Sequence, residues 1–124
     1  MHTKIHNGLK MWNDLNLVFD VVDVESLYKD DNYRYAGRID LLGKVNNELT
    51  VIDIKTGGYY PEYIMQLAAY MHLTGVDNGL IIQIDTDDRR NPELKPRIYG
   101  YEKAVLDEAF SRFVELLNQF YQQF

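Results

Sequence analysis

The first half of the chain carries apolar and β-branched residues in the short, polar-interrupted runs that are typical of β-strands. We predict strands at residues 17–28, 33–43 and 48–55. The connections between them are short and rich in Asn, Asp and Lys, which favours tight turns. Strand, tight turn and strand make a hairpin, so these three segments predict an antiparallel meander.

The second half changes to helical spacing. Pro61 can open a helix at residues 62–74, and Gly75 is a natural C-terminal cap for it. The closing segment repeats apolar residues with a 3.6-residue period, which predicts an amphipathic helix. A strand, a charged loop, a short edge strand and this closing helix are placed at 79–85, 86–96, 97–101 and 102–124.

Residues 2–12 predict a further short helix, since Ile5, Leu9 and Trp12 recur at helical spacing. With no internal repeat or linker, the 124 residues are interpreted as one mixed α/β domain, 1–124, with a sheet of about four to five strands flanked by helices. The chain has no cysteine, so disulfides, thiolate zinc sites and cysteine nucleophiles are excluded. The formal charge of −6 argues mildly against a protein that wraps nucleic acid through a broad basic surface.

The third predicted strand contains two charged residues in an apolar setting. Alternation along a strand places Asp53 and Lys55 on one face, with Ile52 and Ile54 on the other. On their own, an acid and a lysine at this spacing commonly form a solvated surface salt bridge. A carboxylate that faces a core, however, is costly unless it is paired or binds a metal ion.

The second strand supplies a partner for that carboxylate. It also carries one acid in an apolar run, Asp40, and the predicted hairpin can bring Asp40 beside Asp53. Two carboxylates form a site of hard oxygen ligands, here with the ammonium of Lys55 alongside. This chemistry suits hydrolysis of a phosphodiester assisted by Mg²⁺ or Mn²⁺.

Three blocks in this order resemble the PD-(D/E)XK nuclease superfamily, and in particular its RecB-like branch of phage and CRISPR-associated exonucleases. The blocks are Gly37-Arg38-Ile39-Asp40, then Ile52-Asp53-Ile54-Lys55-Thr56-Gly57, then Gln66-Leu67-Ala68-Ala69-Tyr70. The resemblance implies a restriction-endonuclease-like core. It also implies a deoxyribonuclease that depends on Mg²⁺ or Mn²⁺ and acts on DNA strand ends or single strands in recombination, repair or phage DNA processing.

The resemblance also implies a role for each residue of the site. Asp40 and Asp53 would bind the metal ion together with the main-chain carbonyl of Ile54, and Lys55 would orient or deprotonate the attacking water. On the facing helix, Gln66 and Tyr70 would line the substrate side. Glu25, on the preceding strand, matches a position where many relatives have a supporting acid and is a further candidate metal ligand.

The chain departs from that branch at one point. Many of its members carry a metal-binding histidine upstream of the first acid, and neither His2 nor His6 lies in a context that matches. This departure, the small size and the acidic charge favour an alternative, a nuclease-like module that no longer cuts and binds nucleic acid or a protein partner. The preserved Asp40, Asp53 and Lys55 favour the enzyme.

The remaining charged and aromatic residues are interpreted more simply. His72 is predicted to be structural, and Arg89 and Arg90 to form a solvated charge cluster with Asp87 and Asp88 rather than a phosphate site. We expect a cytoplasmic protein, in a bacterium or a phage-infected cell, with no membrane segment and no leader. A homo-oligomer or a larger nuclease and helicase complex is left open, as is whether Phe120, Tyr121 and Phe124 form an interface or belong to the core.

Overall fold

A computed structural model describes residues 19–123 of the protein, and the helix predicted at 2–12 lies outside them. The described part forms a mixed α/β structure with five strands and two helices, as predicted. In chain order the elements are β1 (Phe19–Asp30), β2 (Tyr35–Val45), β3 (Glu48–Thr56), α1 (Glu62–Thr74), β4 (Asn78–Ile84), β5 (Arg97–Gly100) and α2 (Lys103–Gln122).

The five strands form one sheet in the order in which they occur along the chain, from β1 to β5. The first three are antiparallel neighbours, which confirms the predicted meander. β4 then pairs with β3 in parallel, and α1 supplies the crossover that a parallel connection requires. β5 returns antiparallel to β4 and ends the sheet.

The turn between β2 and β3 fixes the register of this hairpin. Val45 pairs with Glu48, so the turn is only two residues long, Asn46 and Asn47, with φ angles of 51° and 70°. Two successive positive φ angles match the type I′ turn, whose twist suits a hairpin and which asparagine tolerates. The strand therefore extends beyond the predicted end at residue 43.

Other boundaries also differ from the prediction by a few residues. The turn after β1 occupies residues 31–34, with Arg34 at φ 59°, so β2 begins at Tyr35 instead of residue 33. β1 continues to Asp30 because that residue pairs with Tyr35. α1 has the predicted bounds, and Gly75, at φ 69°, ends it in the left-handed conformation that favours glycine.

The core has two parts. One cluster contains residues from the sheet and from both helices, and the other contains only strand residues. α1 packs closely on the sheet at Gly79, where an added Cβ would lie 2.6 Å from the sulfur of Met71. Among residues 19–123, neither helix combines the length and the apolar character needed to cross a membrane.

Candidate active site

Asp53 and Lys55 lie on the face of β3 that α1 covers, as the alternation predicted. The Lys55 Nζ is 3.3 Å from Asp53 Oδ2. The same ammonium donates a hydrogen bond to Gln66 Oε1 on α1 and lies 4.7 Å from the centre of the Tyr63 ring. Ile52 and Ile54 pack in the strand-only cluster. Lys55 is therefore a contact point between β3 and α1, and not a solvated surface residue.

The carboxyl group of Asp53 is almost fully buried, with 2 % of the residue exposed. Its Oδ2 makes an ion pair with Lys55 and the carboxyl group lies against Asp40, but no well-oriented hydrogen-bond donor for Oδ2 is present among residues 19–123. A buried carboxylate oxygen without a donor is destabilising, since desolvation of the charge is only partly compensated. This oxygen is consequently suited to accept a further positively charged ligand.

The surroundings of Asp53 favour its protonated form in the absence of such a ligand. Burial, the larger cause, and contact with the carboxyl group of Asp40 raise the pKa of Asp53 to about 7. The ammonium of Lys55 opposes this shift. Two carboxyl groups that share a buried site behave in this way because both cannot ionise cheaply together.

Asp40 reaches the same place from β2. The pairing of β2 with β3 ends at Leu41 and Ile52, and the carboxyl groups of the next residues, Asp40 and Asp53, are in contact. Asp40 Oδ2 accepts a hydrogen bond from the Ile54 main-chain N–H at 3.0 Å. The predicted meeting of Asp40 and Asp53 is therefore present in the structure.

The contacts of Asp53 and Lys55 continue onto α1, and we call Asp53, Lys55, Gln66 and Tyr70 the row. Gln66 Nε2 donates to the Tyr70 hydroxyl at 2.8 Å, so hydrogen bonds and the ion pair connect Asp53, Lys55, Gln66 and Tyr70 in sequence. Burial, and then the negative charge of Asp53, raise the pKa of Tyr70, which keeps its hydroxyl neutral. The predicted shared face of Gln66 and Tyr70 is thus directed toward Lys55.

Gly37 explains how β2 and α1 approach each other. A Cβ built on this residue would lie 2.8 Å from Cε1 of Tyr70 and 3.0 Å from Cδ1 of Leu73. The ring of Tyr70 therefore occupies the space that a side chain would need. The first and third blocks of the sequence pattern are in direct contact at this point.

Glu25 approaches the site from β1. It lies on β1 between the pairs Val24 with Leu41 and Ser26 with Ile39, which sets it opposite Asp40, but its φ of 52° departs from strand geometry. Among residues 19–123, no group of three or more Asp, Glu or His side chains is arranged to hold one metal ion. The role of Glu25 as a metal ligand stays a prediction, as does that of the Ile54 carbonyl.

The two aspartates nevertheless suit a divalent cation. They supply carboxylate oxygens, the ligands that Mg²⁺ and Mn²⁺ prefer, and one of these oxygens is buried without a hydrogen-bond donor. Their mutual contact raises the cost of ionising both unless positive charge is added. Asp40 and Asp53 are therefore the residues that could hold such an ion.

Outside this site, the simpler interpretations agree with the structure. His72 Nε2 hydrogen bonds to Asp30 Oδ2 at 2.7 Å and its ring stacks on Phe110, 4.5 Å between centres. The arginine pair does lie in a charge cluster, in which Arg89 contacts Asp87 while Arg90 contacts both Asp85 and Asp87, so that Asp85 takes the place predicted for Asp88.

The end of α2 is not part of the core. Phe120 is 52 % exposed, and the Tyr121 ring lies under the Arg34 guanidinium at 4.2 Å. The Tyr121 hydroxyl also donates to the Arg34 main-chain oxygen. Phe124 lies outside the described residues.

The sequence interpretation missed the aromatic residues around Lys55. Tyr63 contacts Lys55 and also lies edge-on to Tyr59 and Tyr60. Its spacing offered a signal, since residues 63, 66 and 70 recur on one helical face. Tyr35 and Phe113 were missed as well, and no local pattern relates them to the site.

The sequence pattern that defines the PD-(D/E)XK nuclease superfamily matches residues 4–122. The chain belongs to this superfamily. The match covers nearly the whole chain, in agreement with the three blocks and with the Asp40, Asp53 and Lys55 geometry. No protein of curated function matches the chain by sequence.

Solved structures of similar fold include an alkaline exonuclease, LHK-Exo, from Laribacter hongkongensis, with 19 % identity and a TM-score of 0.56 over 95 % of this chain and 66 % of that one. The complex of LHK-Exo with dAMP gives 17 % identity and a TM-score of 0.61, covering 95 % of this chain and 64 % of the other. At such low identity the likeness establishes the fold, a restriction-endonuclease-like core. This chain thus spans slightly less than two thirds of the length of these exonuclease structures.

Proposed function

We propose that the protein is a deoxyribonuclease that depends on Mg²⁺ or Mn²⁺ and hydrolyses DNA from strand ends or along single strands. The observation that carries this proposal is the buried Asp53 carboxyl, which lies against Asp40 and beside Lys55 and has one oxygen without a hydrogen-bond donor. Family membership adds weight, since PD-(D/E)XK nucleases generally use divalent metal ions.

Each residue of the candidate site has a task in the proposed reaction. Asp40 and Asp53, with the Ile54 carbonyl and Glu25 as further candidate ligands, would hold the ion. A bound divalent ion would supply positive charge that eases deprotonation of the attacking water and neutralises charge developing on the phosphate.

Lys55 is the other source of positive charge in the row. Its ammonium is held between the Asp53 carboxyl and the Gln66 carbonyl oxygen, so its position is fixed before substrate binds. A preorganised cation of this kind can orient the water and stabilise negative charge as it develops. Gln66 and Tyr70 then face the substrate side, where their hydrogen-bonding groups can contact the nucleotide.

Exonuclease action and the biological setting are extensions of this proposal. Exonuclease action is favoured by the fold shared with LHK-Exo, one of whose structures contains dAMP. A role in recombination, repair or phage DNA processing follows, in the cytoplasm of a bacterium or a phage-infected cell. The protein would act as a homo-oligomer or within a larger nuclease and helicase complex.

A cleavage assay with labelled single- and double-stranded DNA tests this function. Wild-type protein should cut in Mn²⁺ or Mg²⁺ and not in EDTA. Asp40→Asn should abolish cleavage while keeping an oxygen to accept the Ile54 N–H, so its thermal unfolding should change little.

Lys55→Ala should slow cleavage by roughly 10²–10⁴-fold, the usual contribution of an acid–base group, with Mn²⁺ affinity by calorimetry reduced far less.

Two results would argue against the enzyme. Full cleavage by folded Asp40→Asn would remove the metal site from the mechanism. Binding of DNA without any metal-dependent cleavage by the wild type would favour the alternative, an inactive nuclease-like module.

A further inference from the structure

An open cleft of about 450 Å³ lies beside the Asp53, Lys55, Gln66 and Tyr70 row. Gln66 and Tyr70 belong both to the row and to the wall of the cleft. Tyr63 also lines the cleft, and its ring lies 4.7 Å from Lys55 Nζ. The cleft therefore shares a wall with the proposed catalytic residues, and its size falls within the range of small-molecule and cofactor sites.

Aromatic rings from three elements line this cleft. β2 contributes Tyr35, α1 contributes Tyr63 and Tyr70, and α2 contributes Phe113. Several of these rings are held in place: the Tyr35 hydroxyl donates to the Ala69 main-chain oxygen at 2.8 Å, and the Tyr35 and Phe113 rings lie 4.8 Å apart. The aromatic surface is consequently preorganised.

The charges around the cleft indicate what it can accept. Glu62 is the single charged side chain among the described residues that line it, and no lysine or arginine does so. A phosphate group would find no cation there. A neutral planar group with hydrogen-bonding edges would find rings to stack on, together with the amide of Gln66 and the hydroxyl of Tyr70.

We propose that the aromatic cleft binds an unpaired base of a single DNA strand. A base in intact duplex is already stacked and paired, so only a free or frayed strand can supply one without the cost of unstacking. This inference rests on the proposed nuclease function and narrows its substrate to single strands and unpaired ends. The shared wall would seat that base beside Lys55.

Binding of fluorescent oligonucleotides in EDTA, where the proposed enzyme does not cut, tests the cleft directly. The probes are a short oligothymidylate, an abasic strand with the same number of phosphates, and a blunt duplex. We expect about tenfold tighter binding of the thymidylate than of the abasic strand, since base stacking on aromatic side chains typically has an effect of this size. The duplex should bind more weakly than the thymidylate.

A matched pair of variants locates the effect. Phe113→Leu keeps an apolar side chain on α2 but removes a stacking ring, so it should weaken thymidylate binding about tenfold and leave the abasic strand unchanged. Phe120→Leu removes an exposed ring from the same helix outside the cleft and should change neither. Thermal unfolding of both variants checks that the fold is retained.

Equal affinity for the thymidylate and abasic strands, equal loss of both in Phe113→Leu, or tighter binding of the duplex would overturn the cleft proposal. A cleavage assay in Mn²⁺, run in parallel, separates this result from the proposed function. Cleavage without base-dependent binding would support the proposed nuclease function and show that the cleft does not bind a base. Base-dependent binding without cleavage would support the cleft and count against the nuclease.

Discussion

Among individual residues, Asp53 is the one whose charge conflicts with its surroundings. It occupies a buried position on a central strand, and its neighbours are a second carboxyl group and one ammonium. Natural proteins retain such a destabilising group where function requires it. The same physical feature therefore destabilises the metal-free protein and suits the cation binding that we propose for Asp53.

Asp53→Asn should stabilise the metal-free protein at pH 8. In the unfolded chain this carboxyl has a pKa of about 4, whereas in the folded protein it is raised to about 7. Between about pH 4 and 7 the folded protein keeps Asp53 protonated, whereas the unfolded chain releases this proton. The free energy of unfolding of the wild type therefore falls as the pH rises from about 4 to 7, and it stays lower above pH 7. At about 1.4 kcal/mol for each of roughly three pKa units, removing the acid should recover up to about 4 kcal/mol at pH 8 and little at pH 4.

Urea unfolding in EDTA at pH 4.5, 6 and 8 measures this effect. The two stability profiles should diverge with rising pH, and the variant should show no cleavage. Parallel profiles for wild type and variant would mean that Asp53 ionises normally in the folded protein.

At the level of secondary structure elements, the contact between β2 and α1 assembles the site. β2 carries Asp40, α1 carries Gln66 and Tyr70, and the two elements meet where the Tyr70 ring packs on Gly37. This close approach is possible because Gly37 has no side chain. Because Tyr70 is also hydrogen bonded to Gln66, a displacement of its ring would be transmitted to Lys55.

Gly37→Ala should destabilise the protein by about 1–3 kcal/mol, the usual cost of overpacking, and reduce cleavage. The new methyl group would lie 2.8 Å from the Tyr70 ring and 3.0 Å from Leu73, so one of them must move. Gly100→Ala on β5 is the matched control, since its Cβ would meet only Leu80 at an ordinary 3.5 Å. Chemical unfolding and a cleavage assay on both variants compare the two sites, and equal stabilities would contradict the tight contact.

For the molecule as a whole, His72 is a point where distant parts of the chain meet. Its ring bonds to Asp30 at the end of β1 and stacks on Phe110 of α2, while it is itself part of α1. It thereby connects the edge of the sheet to both helices. It does not line the aromatic cleft, and the Asp53, Lys55, Gln66 and Tyr70 row does not include it.

His72→Ala should lower the free energy of unfolding by about 1–3 kcal/mol, since it removes one hydrogen bond and the ring contacts with Tyr33, Tyr35 and Phe110. The cleavage rate per folded molecule should not change, because the variant leaves the row intact. Denaturant unfolding and initial-rate assays at a temperature well below the transition measure the two quantities. A large loss of rate with unchanged stability would show that His72 belongs to the chemistry and is not structural.

The sequence alone determined the strands and helices of the described part and the face on which Asp53 and Lys55 lie. Period-two alternation and helical spacing depend only on near neighbours along the chain, so they can be recognised without a structure. The short, turn-rich connection at residues 44–48 likewise allowed Asp40 and Asp53 to be brought together in advance, although the exact two-residue turn at Asn46 and Asn47 came from the structure. Three blocks in the right order then indicated the superfamily.

Only the tertiary structure decided how deeply Asp53 is buried and that one of its oxygens has no well-oriented hydrogen-bond donor. It also placed Phe120 at the surface and brought Tyr35 and Phe113 together beside Tyr63. Burial, pKa and the shape of a cleft depend on side chains that are far apart in sequence and meet only after folding, and no local pattern contains that information.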